Sequence, residues 1–355
     1  MVNMYARFAQ VLTTAYLRVG GPTLRAALRL SPATQRRLAG RPVVVDDTAL
    51  DVEMQLILRA ASLQPKRMTK TIESGRATID REARAVAGRQ PIGSVRDRLI
   101  TGPESDLMIR VYRPRGLTGV SPALLFFHGG GFVYGSLASH DGLCRFLAEH
   151  AQIWVVAVDY RLAPEHPFPA AHDDGWAAYT WLREHAAELE IDVDRIAVGG
   201  DSAGGTIAAV LAHRGRDAGC APAFQFLIYP PTDATTRRHS RDIFAKGFWL
   251  SDELMDFFLD QYLPPGTDLS DPRVSPLLSE SLAELAPAYV LTAGFDPLRD
   301  EAEAYAQAMS DAGVKVELRR HPGLIHTFAN IVGAGHSGPA AMREAAQALH
   351  VGLRG

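Results

Sequence analysis

Residues 195–205 read Arg195-Ile196-Ala197-Val198-Gly199-Gly200-Asp201-Ser202-Ala203-Gly204-Gly205. A short apolar run leads into small residues around one serine, and a helical pattern then continues to Arg214. Ser202 is therefore placed at a strand-to-helix turn. Such a turn is sharp and strained, and Gly200, Ala203 and Gly204 let the backbone close while the hydroxyl stays exposed above a sheet. The helix that follows points its free N–H groups and the positive end of its dipole at the same spot.

Alone, Gly-x-Ser-x-Gly is a weak signal in a chain with 31 glycines, where it also describes an ordinary glycine-rich turn. A second motif strengthens it. Pro122 to Phe127 is an apolar strand that runs into His128-Gly129-Gly130-Gly131, a glycine loop whose N–H groups suit an oxyanion. A phosphate loop is the competing reading, but neither Gly-x-Gly-x-x-Gly nor a closing Lys-Ser or Lys-Thr pair follows. Together the two motifs supply a nucleophile and the donors for acyl transfer.

A serine hydroxyl needs a base, and the base needs a partner that fixes its tautomer. Ala288 to Gly294 is an apolar strand that places Asp296 in the turn beyond its carboxyl end, the edge where open α/β sheets carry their sites. Val314 to Arg319 alternates as a strand, and His326 follows in the loop 322–328. The rivals are weaker: Asp300 and Glu301 read as solvated acids in a helix's first turn, and His321 and His336 read as structural or exposed. Asp201 reads as a brace for the turn.

With these residues in place, the chain resembles the hormone-sensitive-lipase-like branch of the α/β-hydrolases, a group rich in bacterial carboxylesterases. The likeness is carried by His128-Gly129-Gly130-Gly131-Phe132, Asp159-Tyr160-Arg161-Leu162-Ala163-Pro164-Glu165, Gly200-Asp201-Ser202-Ala203-Gly204, Asp296-Pro297-Leu298 and His326, across most of residues 95–350. Thr327 departs from the glycine many relatives carry there. The resemblance implies a mostly parallel sheet flanked by helices, with Ser202, Asp296 and His326 as the catalytic residues. It implies an oxyanion hole from the N–H groups of Gly130, Gly131 and Ala203, and loops shaped by His128 and residues 159–165. The activity it implies is hydrolysis of small carboxylic esters of short to medium acyl chain, without cofactor or metal. Long-chain lipids, amides and a non-catalytic binding role stay open as alternatives.

The rest of the chain is consistent with one large core plus an accessory region: 47% of residues are hydrophobic and 22% charged. A formal net charge of −3 with no basic stripe argues against nucleic acid as a partner. The two cysteines, Cys144 and Cys220, read as buried free thiols. From about residue 95 strands alternate with helices, at 106–112, 123–127, 153–158, 196–199, 224–229, 289–293 and 314–318; the central ones are unbroken apolar runs, as strands covered on both faces are.

Residues 1–90 read as helical, broken at Gly20-Gly21-Pro22, Ser31-Pro32 and Arg41-Pro42. Together with an insertion at about 230–277 they are expected to cap a catalytic domain at 91–355. Trp249 and Leu250, with Phe132, are the expected pocket residues, while Phe257 and Phe258 read as core. Tyr5, Phe8, Leu12, Tyr16 and Val19 share one helical face, which either packs on the protein or meets lipid. No signal-peptide pattern or 18-residue apolar run is present, and the expectation is a cytoplasmic protein, with peripheral membrane association left open.

Overall fold

The computed structural model describes residues 25–62 and 71–354; the amphipathic face read at residues 5–19 lies outside them. The amino-terminal part holds α1 (Pro32–Ala39), a short hairpin of β1 (Val44–Val45) and β2 (Thr48–Ala49), α2 (Val52–Ser62) and α3 (Ile72–Ala87). Ser31 caps α1, its side chain accepting from the Thr34 N–H, and Pro32 follows where a missing N–H costs nothing. Thr71 and Ser74 form a reciprocal capping box that starts α3.

The main sheet is formed by β3 (Ser94–Thr101), β4 (Asp106–Arg113), β5 (Ser121–Phe127), β6 (Trp154–Asp159), β7 (Ile191–Asp201), β8 (Phe224–Ile228), β9 (Ala288–Phe295) and β10 (Val316–Ile325). Their order is β10-β9-β8-β7-β5-β6-β4-β3. Only β4 runs against its neighbours. Between the strands lie α4 (Leu137–Ala151), α5 (Ala170–Glu184), α6 (Ala203–Asp217), α7 (His239–Ile243), α8 (Asp252–Tyr262), α9 (Arg299–Asp311) and the closing α10 (Ser337–Gly352).

Strand periodicity splits the core into two layers. Along β5, Leu124 and Phe126 face the layer holding α4 and α10, whereas Ala123, Leu125 and Phe127 face the layer holding α5, α6 and α9. Every residue of β5 is buried, which is why Pro122 to Phe127 reads as an unbroken apolar run. The chain leaves β5 on one side to make β6, then returns to place β7 on the other side. Ligands bind at such a switch point, beyond the carboxyl ends of the strands, and the glycine loop and Ser202 both emerge there.

Two sequence readings are corrected. The first strand of the sheet, β3, went unread because Arg96, Asp97 and Arg98 interrupt its apolar pattern; it is the solvated edge, antiparallel to β4. The last strand extends to Ile325, so residues 322–325 are strand and not loop, with a register irregularity between His321 and Ile325. His321 accordingly sits within β10, its ring edge-on to Phe328, and His336 donates its N–H to Glu53. Both cysteines are free; Cys144 is buried in α4 and Cys220 half-buried.

Candidate active site

Ser202 joins β7 to α6 with φ +54° and ψ −126°, a conformation that costs a non-glycine residue about 1–3 kcal/mol. The surroundings hold it there. Its N–H donates to Ile228 O of β8 at 2.9 Å, and its carbonyl accepts from Gly205 and Thr206. A side chain at Gly204 would overlap the main chain of Phe127, so α6 can approach β5 only through glycine.

Beyond β9, Asp296 is fully buried; one carboxylate oxygen accepts the Leu298 N–H at 2.9 Å and the other lies 2.7 Å from His326 Nδ1. His326, just past β10, brings Nε2 to 3.1 Å from Ser202 Oγ. A carboxylate at Nδ1 places the ring proton there and leaves Nε2 free to accept. Three side chains from three strand ends thus form one hydrogen-bonded line. Thr327 adopts φ +70°, which explains why glycine suits that position.

The glycine loop lies opposite. Gly129 donates its N–H to Asp201 at 2.9 Å, and Gly130 O accepts from Val133 and Tyr134. Among the described residues, no acceptor engages the N–H groups of Gly130, Gly131 or Ala203. Burial works to raise the Asp201 carboxyl, but His140 and the Gly129 N–H outweigh it and hold it low. Asp201 braces the turn as expected. His128 stacks on Tyr160, and burial, with His140 adding to it, drives its imidazole down to about 3, so it stays neutral.

A cavity of about 1100 Å³ opens above Ser202. Ile79 and Val86 of α3 form part of its wall, and Phe132, Trp249 and Leu250 also line it. The reading of Phe258 as core is corrected: its ring lines the cavity against Gly131. Nothing in the sequence could have found this, since a cavity wall and a core position are equally apolar. Phe257 is half-buried and packs on the second core layer.

Asp300 and Glu301 are corrected as well. Asp300 accepts the Ser240 N–H at 2.8 Å, and Glu301 is buried, accepting the Thr232 N–H at 2.8 Å. They tie the insertion to α9 instead of facing solvent. Burial raises the Glu301 carboxyl to about 8 against its main-chain donors.

The sequence profile of the alpha/beta hydrolase fold matches residues 124–330. The chain is a member of this family, in its hormone-sensitive-lipase-like branch. It is 43% identical over 333 residues to the carboxylic ester hydrolase LipN of Mycobacterium tuberculosis, covering 91% of this chain and 88% of that protein. It is 45% identical over 236 residues to ethyl acetate hydrolase of Pseudomonas putida, covering 65% and 74%. An ester hydrolase from the metagenome of Lake Arreo, solved with a derivative of bipyridine phosphonate, superposes with a TM-score of 0.82 at 42% identity, over 85% of this chain and 98% of that one. Among the described residues no helix is long and apolar enough to cross a membrane.

Proposed function

We propose that the chain is a serine carboxylesterase acting on small carboxylic esters of short to medium acyl length. Ser202 is the nucleophile, His326 the general base and Asp296 the residue that orients the imidazole. The N–H groups of Gly130, Gly131 and Ala203 hold the oxyanion. The observation that carries this reading is the line Asp296–His326–Ser202, at 2.7 and 3.1 Å, opening into a cavity beside unengaged N–H groups.

In acylation His326 Nε2 takes the Ser202 proton as Oγ attacks the ester carbonyl. The negative charge moves to the former carbonyl oxygen and rests on the three N–H groups. The imidazolium then protonates the leaving alcohol, and an acyl group remains on Oγ. Water, deprotonated by the same imidazole, reverses the sequence and frees the acid. The proposal includes a two-part cap, residues 1–90 and about 230–277, over the catalytic domain; residues of α3 and of the insertion meet in one cavity wall, which excludes water and offers apolar surface.

A chromogenic ester series from acetate to long acyl chains, with Ser202→Ala as control, tests the reading. Turnover concentrated on short and medium chains and abolished in the variant supports it; turnover retained in Ser202→Ala would refute it. Amide and long-chain substrates in the same series test the alternatives. Liposome co-sedimentation of the full chain and of a chain lacking residues 1–20 decides whether the amino-terminal face meets lipid.

A further inference from the structure

The guanidinium of Arg76, on α3, reaches the segment that follows the glycine loop. Nε donates to Val133 O at 2.8 Å and Nη2 to Ala163 O at 2.9 Å, while Glu165 binds the fork at 2.9 and 2.7 Å. The neighbouring Gly75 lets the helix lie against the Tyr134 ring, where any side chain would collide. An exposed arginine needs no such set of partners; two of these four bonds go to main-chain carbonyls that flank the loop.

The peptide groups form a continuous chain from that point. Val133 C=O and Tyr134 N–H belong to one peptide unit, and the Tyr134 N–H donates to Gly130 O at 2.8 Å. Gly130 C=O and Gly131 N–H belong to the next, so anchoring Gly130 O fixes the Gly131 N–H in the opposite direction. Dipoles aligned head to tail polarise one another, and a cation at the tail strengthens the donor at the head. We propose that Arg76 is a positioning residue for oxyanion stabilisation, holding and polarising the Gly131 N–H through two peptide units. The inference rests on the reading of Gly130, Gly131 and Ala203 as the oxyanion hole. It makes the amino-terminal helix part of the catalytic apparatus, and not only a lid.

The test compares wild type, Arg76→Met and Arg76→Lys for kcat and KM on a short p-nitrophenyl ester and for affinity toward a trifluoromethyl ketone, which forms an oxyanion on the serine. Complete loss of one oxyanion donor costs ~10²–10³ in kcat, so a donor left in place but misaligned should cost ~10-fold. Arg76→Met should show that fall in kcat with KM within about threefold, and ketone affinity should fall in parallel. A merely structural role would move the melting temperature and leave both ratios near wild type, and that result would overturn the proposal. If Arg76→Met does not fold, Arg76→Lys carries the test, because an ammonium can serve one carbonyl but lacks the fork for both. A kcat and ketone affinity lowered together support the relay, and wild-type values for both refute it. Wild-type protein indifferent to the ketone would instead indict the oxyanion hole itself.

Discussion

Gly131→Ala places a methyl group against the Phe258 ring. The new Cβ would lie 2.7 Å from Phe258 Cδ1 and nearer still to the adjoining ring atoms, whereas ordinary contact begins at 3.4 Å. Relief requires a displacement on the order of 1 Å, enough to cost ~10²-fold in rate if the loop moves and not the ring. Gly131 also sits at φ +63°, which adds about 1–2 kcal/mol of strain for alanine. Turning the N–H away from the oxyanion forfeits about 3–4 kcal/mol of transition-state stabilisation, or ~10²–10³ in kcat. The Phe258 ring meets Tyr134 edge-on at 5.3 Å, so swinging aside forfeits that contact. Steady-state kinetics of Gly131→Ala, Phe258→Ala and the double variant separate the causes. The double variant should regain at least tenfold in kcat over Gly131→Ala, since the obstructing ring is gone. A Gly131→Ala enzyme within threefold of wild type would refute the reasoning.

Three further outcomes follow from the same geometry. Asp296→Asn keeps the shape but cannot fix the imidazole proton on Nδ1, and kcat should fall ~10⁴-fold; a fall under tenfold with an intact fold would remove Asp296 from its role. Leu250, 5% exposed at the cavity wall, becomes a barrier in Leu250→Trp, which should shift preference toward shorter acyl chains without abolishing turnover; an unchanged profile would place Leu250 outside the acyl site. His172 packs between Phe132 and Phe168, and burial, with Arg273 adding to it, holds its imidazole down at about 3. A histidine depressed in the fold contributes stability above its unfolded value near 6.5, and that stability is lost as pH falls toward 3. At ~1.4 kcal/mol per pH unit, His172→Leu should gain about 2 kcal/mol on wild type between pH 7.5 and 5 in urea titrations; a difference independent of pH would contradict this.

Motifs that strain or shorten the backbone were legible in the sequence, because few residues satisfy such constraints. Ser202 between glycines and the loop at 128–131 had few alternatives, and the unbroken apolar runs within β5 and β6 mark strands buried on both faces. Asp296 and His326 were placed by strand ends, which is where the sheet delivers them. What failed to show depends on partners distant in sequence. The charges of β3 look like loop until β4 pairs with it. Glu301 looks like a solvated first-turn acid until the Thr232 N–H meets it. Arg76 looks like a helix surface charge until Val133 and Ala163 turn their carbonyls toward it. Phe258 carries no mark of the empty space beside it.

Trapping the acyl-enzyme tests the central claim most directly. Rapid quench of the protein with a p-nitrophenyl ester, followed by digestion and mass spectrometry, should find one acyl group on the Ser202 peptide, formed with a stoichiometric burst of nitrophenol and absent in Ser202→Ala. Acylation of another residue, or turnover that persists in Ser202→Ala, would contradict the account.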